Sequence, residues 1–307
     1  MPISFIYFAS ARFHLEIMVL DVKLGFAKPE EGLRVAAQTF PEKYGYWYMR
    51  FFRTEAKEEP PAAESEEFPP EVRVSKAEKH FKTGAQLWEG GHLNEAIAEF
   101  NEAIAECSKA TIVDHSMLAV AYHERGMAYL HLGQPQQAIK DFDEALRLIP
   151  QGLSPQRAAF YLNRGVAYNA LGQAERALQD LDEAIRLDPQ DSMAYYNRAA
   201  SYNALSQFQR ALQDFDKAIQ LNPRFALAYS SRGVIYDNLG QYQRAIEDYS
   251  NAIRLNPELA VAYVNRAFVY TRLNKDSEAE RDMGRAIALG YDATVLRREI
   301  EEIKKQR

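Results

Sequence analysis

Five arginines in this sequence are each followed by an aspartate sixteen residues later. The pairs are Arg125 and Asp141, Arg164 and Asp180, Arg198 and Asp214, Arg232 and Asp248, and Arg266 and Asp282. Opposite charges at a fixed spacing either form ion pairs within the fold or present a row of arginines to an acidic ligand. An exposed ion pair contributes only about 0.2 to 1 kcal/mol to stability. We interpret the pairs as structural and keep ligand binding as the alternative.

The sequence shows no motif for catalysis, for a metal or for a phosphate group. A glycine-rich phosphate loop is missing, and the six histidines are scattered, with His123 and His131 eight residues apart. A metal site needs a third and usually a fourth ligand, so we expect these histidines to be surface residues. The single cysteine, Cys107, cannot form an internal disulfide, which fits a reducing compartment. We predict no enzyme activity, no metal and no cofactor.

The charged pairs belong to a longer pattern that repeats along the chain. From Ala226, apolar and small residues follow helical spacing to Leu239, Gly240 interrupts them, and a second helical stretch ends at Pro257. One period earlier, the residues Tyr236, Gly233, Ala245, Ala252 and Pro257 are matched by Tyr202, Ala199, Ala211, Ala218 and Pro223. Because small residues let two helix backbones approach closely, each unit is predicted to be an antiparallel pair of helices.

This pattern resembles the tetratricopeptide repeat in its length, about 34 residues, and in its Gly, Tyr, Ala and Pro positions. The resemblance implies an all-α, right-handed α-solenoid of about six helix-turn-helix repeats. The predicted repeats span residues 77–110, 119–152, 158–191, 192–225, 226–259 and 260–293. The first and last copies depart from the pattern, with Ser108 and Tyr291 in place of the proline. Residues 294–307 are predicted to form a capping helix with Leu296 and Ile300 on its apolar face.

The N-terminal part of the chain, before the first repeat, does not follow the repeat pattern. Residues 1–52 are rich in aromatic and aliphatic side chains and form either a cap or anchor for the first repeat, or an extension upstream of a natural start at Met49. Residues 53–76 are rich in Pro and Glu and are predicted to be a disordered acidic linker, with an acidic docking tail as the alternative.

No apolar run reaches the roughly 18 residues of a membrane-spanning helix, and no basic residue precedes the short apolar N-terminus as in an export signal. We expect a cytoplasmic protein without an integral membrane span, and the weakly apolar N-terminus leaves export or membrane association as alternatives.

In tetratricopeptide arrays, first-helix positions that the core does not use line a concave groove, and the resemblance implies the same groove here. The candidate partner-binding residues are His123, Glu124, Asn163, Asn169, Tyr196, Asn197, Asn203, Ser231, Asp237, Asn265 and Arg272. Asparagine recurs at one equivalent position in three repeats, and Ser231 takes that position in another. Since an amide can donate and accept, this ladder could hold an extended peptide, or its members could bond neighbouring helices or water.

Charge and fold together favour protein binding. The chain of 307 residues has 37 basic and 43 acidic residues, a formal net charge of -6, and so lacks the basic surplus typical of nucleic-acid binding. We predict a non-catalytic scaffold or adaptor that binds a peptide or partner protein in the groove. The alternatives are a self-assembling structural scaffold, which would be a homo-oligomer, and a membrane-tethered assembly factor anchored by residues 1–52.

Overall fold

The computed structural model describes residues 76–109 and 115–306. The N-terminal segment and the acidic linker as far as residue 75 lie outside the described residues. In the described ranges the chain forms thirteen α-helices and no strand, which confirms the all-α prediction. None of these helices combines the length and the apolar character that crossing a membrane requires. The described residues form two compact units, one ending at Leu153 and the other beginning at Ser154.

Two helical hairpins make up the described part of the first unit. Its helices are α1 (Lys76–Glu89), α2 (Leu93–Lys109), α3 (His115–His131) and α4 (Pro135–Leu148). Helix α1 packs on α2, α3 packs on α4, and α2 and α3 join the two hairpins. Phe81 and Phe100 meet in the first hairpin with ring centroids 5.7 Å apart.

Four hairpins and one further helix make up the second unit. Its helices are α5 (Ser154–Ala170), α6 (Ala174–Leu187), α7 (Ser192–Ala204), α8 (Phe208–Leu221), α9 (Ala226–Asn238), α10 (Tyr242–Leu255), α11 (Ala260–Arg272), α12 (Asp276–Ala288) and α13 (Ala293–Lys305). Helix α5 begins at Ser154, one turn before the repeat pattern, as the Ser-Pro pair at its start predicts.

The first helices of the hairpins in the second unit lie closer together than the second helices. Helix α7 contacts both α5 and α9, and α9 contacts α11. Within residues 154–306, no comparable contact joins the second helices α6, α8, α10 and α12 to one another. The first helices therefore form the tighter, inner layer of this repeat solenoid.

Small residues at one position of the first helix allow each hairpin to close. A Cβ atom added to Gly233 would lie 2.8 Å from Cε1 of Tyr249, and one added to Gly126 would lie 2.8 Å from Cε1 of Phe142. Tyr249 is fully buried under this contact. The close approach predicted from the repeat pattern is thus confirmed.

A left-handed residue ends the first helix of each hairpin. Gly133, Gly172 and Gly240 have φ of 69° to 70°, and Ser206 and Asn274 take the same conformation at 57° and 59°. The backbone N–H of the residue that follows donates to a carbonyl in the last turn of the same helix. An example is the bond of 2.8 Å from the N–H of Gln241 to the carbonyl of Tyr236.

Helix α13 covers the apolar end of the last hairpin, as predicted. Leu296 and Ile300 are buried in a cluster with Tyr263 and Ala267. Asp292 caps the helix by accepting hydrogen bonds from the backbone N–H groups of residues 294 and 295, at 2.7 and 2.9 Å.

A second capping aspartate is buried. Asp191 caps α7 by accepting from the backbone N–H groups of Met193 and Ala194, at 2.7 and 3.3 Å, and is only 6% exposed. The equivalent residues before α9 and α11 are the buried apolar Phe225 and Leu259. Burial raises the pKa of the Asp191 carboxyl from 3.8 to about 7, although the two backbone donors oppose this change.

We expect Asp191→Asn to stabilise the protein at high pH. Because the folded-state pKa is raised, ionisation makes Asp191 progressively unfavourable to folding as the pH rises from about 4 to about 7. An asparagine keeps the cap without the charge, so the variant should gain about 1 to 3 kcal/mol at pH 8 and much less at pH 4. Urea unfolding across this pH range measures the difference. The exposed cap variant Asp292→Asn is the control, and a gain for Asp191→Asn that does not change with pH would contradict the prediction.

Candidate functional site

The five predicted arginine–aspartate pairs all form, between the two helices of one hairpin. In each pair the arginine Nε donates to one carboxylate oxygen and Nη2 to the other. The two distances are 2.8 and 2.6 Å for Arg125, 2.7 and 2.7 Å for Arg164, 2.7 and 2.8 Å for Arg198, 2.8 and 2.7 Å for Arg232, and 2.6 and 2.8 Å for Arg266. All five aspartates are buried. The structural interpretation of these pairs is confirmed.

In four of these arginines, the third nitrogen bonds the preceding hairpin. Nη1 of Arg125 donates to Asn101 at 2.6 Å, that of Arg198 to Asp182 at 2.7 Å, that of Arg232 to Asp216 at 2.5 Å, and that of Arg266 to Ser250 at 2.8 Å. These four guanidinium groups therefore use all three nitrogens inside the fold. These bonds support the structural interpretation over the alternative drawn from the spacing, a row that grips acidic ligands.

Burial raises the pKa of two of the paired carboxyl groups, those of Asp248 and Asp141. For Asp248 the loss of hydration comes first, and the hydrogen bonds and charge of Arg232 oppose it. The same balance raises the pKa of Asp141 beside Arg125. The hydrogen bonds and the charge of the arginines thus compensate part of the hydration that these carboxylates lose on burial.

The predicted groove residues lie on the first helices, and the structure places them at different levels of exposure. Asn163 is 0%, Tyr196 0% and Asn197 1% exposed. The half-buried members in the second unit are Asn169, Asn203, Ser231, Asp237, Asn265 and Arg272. Asn163 and Asn197 are therefore not open to a ligand in this structure, and the predicted amide ladder is reduced to Ser231 and Asn265.

An asparagine bridge joins α5 to α7. The Asn169 side chain donates to the backbone carbonyl of Asn197 at 3.3 Å and accepts from the Ser201 hydroxyl at 2.8 Å. Asn197 itself donates to the carbonyl of Met193 in its own helix, at 2.8 Å. The amide of Asn169, which is not a ladder member, thus bonds the neighbouring helix, whereas the ladder amide of Asn197 bonds its own helix. Sequence reasoning missed Ser201, although its hydroxyl stands where other repeats have Ala128 or Ala167.

Tyr196 carries the next connection, between α7 and α9. Its hydroxyl lies 3.2 Å from the Ser231 hydroxyl. Its ring packs against Phe215 and Phe225, with centroid distances of 5.5 and 4.8 Å. This tyrosine is therefore part of the core as well as of the first-helix face.

An ion pair connects α9 to α11. Arg272 Nη1 donates to both oxygens of Asp237, at 2.8 and 2.7 Å. Burial raises the pKa of the Asp237 carboxyl, and Arg272 opposes that rise. Because these two charges neutralise each other, this part of the face carries little net charge.

The remaining candidates are Asn203 and Asn265 in the second unit and His123 and Glu124 in the first. Asn203 and Asn265 are half-buried, and their side chains make no hydrogen bond with the residues described. His123 Nδ1 lies 3.0 Å from Oε1 of Glu124, and its ring packs on Phe142 at 5.6 Å. In the second unit, Asn203 and Asn265 are thus the candidates best placed to receive hydrogen bonds from a partner.

Sequence models of the tetratricopeptide repeat match three stretches of the chain. They cover residues 117–190, 192–225 and 226–259. This chain is a tetratricopeptide repeat protein. Such repeats are generally non-catalytic and mediate contacts between proteins, so the chain is a protein-interaction scaffold. No curated protein matches its sequence.

Solved structures of other proteins share the fold of this tetratricopeptide repeat protein. The APC/C hetero-tetramer Cut9-Hcn1 matches with a TM-score of 0.65 and 17% identity, over 97% of this chain and 53% of that one. The C-terminal part of a TPR repeat-containing protein from Cytophaga hutchinsonii matches with a TM-score of 0.52 and 20% identity, over 68% and 78% of the two chains. At these identities the likeness concerns the fold.

Proposed function

We propose that this scaffold holds a peptide or partner protein against the first-helix face of the second unit. The observation that supports the proposal most is the contact between successive first helices. Because these helices lie side by side, the side chains that they do not bury can form one surface over four hairpins. A ligand laid across this surface can touch all four hairpins of the second unit. We call this surface the inner wall and define it by the exposed or half-buried side chains of α5, α7, α9 and α11.

The inner wall combines apolar and polar groups. Ala200, Val234 and Phe268 occupy equivalent positions in three hairpins and are half-buried. Asn203 and Asn265 lie on the same helices as Ala200 and Phe268. A partner can therefore bury apolar surface and make hydrogen bonds at the same place, the usual combination in protein interfaces.

The inner wall is held in place before any partner binds. The Asn169 bridge, the contact of Tyr196 with Ser231, and the pair of Asp237 with Arg272 connect four successive first helices. Because these contacts fix the side chains and the helices, little conformational entropy is lost on the scaffold side when a partner docks.

We expect the double variant Asn203→Arg with Asn265→Arg to lose its partners. Two long charged side chains on the inner wall should obstruct docking and reduce captured protein about tenfold, without a change in melting temperature. The measurement is capture from cell extract by the immobilised full chain, with quantitative mass spectrometry.

The matched control is Gln220→Arg with Ala288→Arg, which adds the same charge on the exposed faces of α8 and α12. The control should retain the proteins captured by the wild type. Equal retention by both double variants, or equal loss, would contradict binding at the inner wall.

A further inference from the structure

Three arginines of the second unit stand apart from the paired arginines described above. Arg176, Arg210 and Arg244 occupy equivalent positions in successive repeats, on α6, α8 and α10, and all three side chains are exposed. We call them the arginine strip. At the same position, the hairpins on either side have Gln137 and Glu278, so the strip is confined to three consecutive repeats.

Each strip arginine is held by uncharged neighbours. Nη1 donates to the glutamine three residues earlier, at 3.1 Å for Gln173, 2.9 Å for Gln207 and 2.8 Å for Gln241. The guanidinium groups also lie over tyrosine rings, 5.7 Å from Tyr168, 5.6 Å from Tyr202 and 4.0 Å from Tyr236. Nη2 of Arg244 also donates to the Tyr236 hydroxyl, at 2.6 Å. These contacts fix the direction of the side chains, and none of them is made to a carboxylate. The exposed glutamates next to the strip in sequence are Glu175, beside Arg176, and Glu247, three residues after Arg244.

None of the strip arginines has a carboxylate partner within 4 Å in the part of the chain that the structure describes. The surface cavity beside Arg244 is also lined by three acidic residues, Asp216, Asp248 and Glu247. Asp216 and Asp248 are both bonded to Arg232, so neither is available to the strip. Around Arg210 the exposed neighbours on α8 are the neutral Gln209 and Gln213.

We propose that the arginine strip is a second binding surface, which takes an acidic segment of a partner protein. A guanidinium that retains free donors can hold a carboxylate through two parallel hydrogen bonds. The glutamine and tyrosine contacts reduce the entropy lost when it does so. The chain as a whole carries a net charge of -6, so the strip is a local feature and not the result of a generally basic surface.

The strip and the inner wall use different helices. The strip arginines lie on the second helices, whereas the inner wall consists of first-helix side chains. The same four hairpins can therefore hold one partner at the wall and an acidic segment at the strip. This second surface goes beyond the function proposed above, and it does not depend on the inner wall being a binding site.

The test uses the full chain and a labelled acidic peptide with the sequence of residues 54–71, which has seven glutamates and one lysine. Fluorescence anisotropy in low salt should show binding that weakens as salt is added. A peptide with glutamine at every glutamate should not bind. The triple variant Arg176→Gln, Arg210→Gln, Arg244→Gln should bind the acidic peptide at least about tenfold more weakly than the wild type.

The matched control removes three other exposed arginines, as Arg147→Gln, Arg186→Gln and Arg254→Gln. In the structure these donate to side chains three residues earlier, at 2.7, 2.5 and 3.1 Å. The control has the same net charge as the strip variant and should bind the peptide within about twofold of the wild type. Equal weakening in both triple variants, or no binding to the wild type, would overturn the proposal.

A further variant identifies the occupant. The full chain with glutamine in place of the seven glutamates of residues 54–71 should bind the added peptide as the wild type does. Tighter binding by this variant would mean that the chain's own acidic segment occupies the strip. That result would overturn the assignment to a partner protein.

Discussion

Arg232→Ala is expected to lower the free energy of unfolding by about 3 to 5 kcal/mol. The substitution leaves the Asp248 carboxylate, which is 3% exposed, without the two hydrogen bonds that compensate its burial. It also removes the bond to Asp216 on the preceding hairpin. Chemical unfolding followed by circular dichroism measures the loss.

The pH dependence of Arg232→Ala separates this mechanism from a general loss of packing. Burial already raises the pKa of Asp248, and removing Arg232 takes away the interaction that opposes the rise. A raised pKa favours the protonated carboxyl in the folded state, so the variant should lose less stability at pH 5 than at pH 8.

Two controls complete this experiment. Arg244→Ala removes an exposed arginine of the same hairpin and should change stability by less than about 0.5 kcal/mol. The double variant Arg232→Met with Asp248→Leu replaces the pair by apolar groups and should recover most of the loss. An equal loss at both pH values, with no recovery in the double variant, would show that the ion pair is not the cause.

Gly233→Val is expected to destabilise the protein by about 3 kcal/mol through overpacking. A Cβ atom at this position would lie 2.8, 3.0 and 3.1 Å from three atoms of the Tyr249 ring. That ring is completely buried between the two helices of its hairpin, so it cannot move aside without displacing other core residues. Thermal unfolding of the variant should show a lower melting temperature.

Gly284→Val is the matched control for Gly233→Val. Gly284 also lies inside a helix, α12, but no atom lies within 4 Å of a Cβ added there. Valine has a higher helix propensity than glycine, so the control should be neutral or slightly stabilising. Similar destabilisation by both valines would point to a helix effect and would argue against the close contact with Tyr249.

The hairpins and their turns could be predicted from the sequence because each depends on a few local residues. A glycine at the end of the first helix, a small residue opposite an aromatic ring, and a proline after the second helix recur from one repeat to the next. Local capping signals act in the same way at other helix starts, with a Ser-Pro pair at the start of α5 and Asp292 as the cap of α13. Local propensity and tertiary packing agree at all these positions.

The exposure of the candidate binding residues could not be predicted in the same way. Asn197 and Asn265 occupy equivalent positions, yet only Asn197 is buried. The difference depends on the surroundings of each copy, which the repeat pattern does not encode. The bridge from Arg198 to Asp182 was predictable in principle, since Asp182 also lies sixteen residues from the arginine, but on its N-terminal side.

The bonds between successive hairpins differ in one respect that has mechanical consequences. At two junctions the acceptor for the arginine is a carboxylate, Asp182 or Asp216, whereas at the next it is the hydroxyl of Ser250. Dissolved ions screen the first kind of bond and hardly affect the second. Concentrated salt should therefore make the junctions before α7 and α9 more flexible and leave the junction before α11 unchanged. The ionic strength would then determine which junction bends most easily.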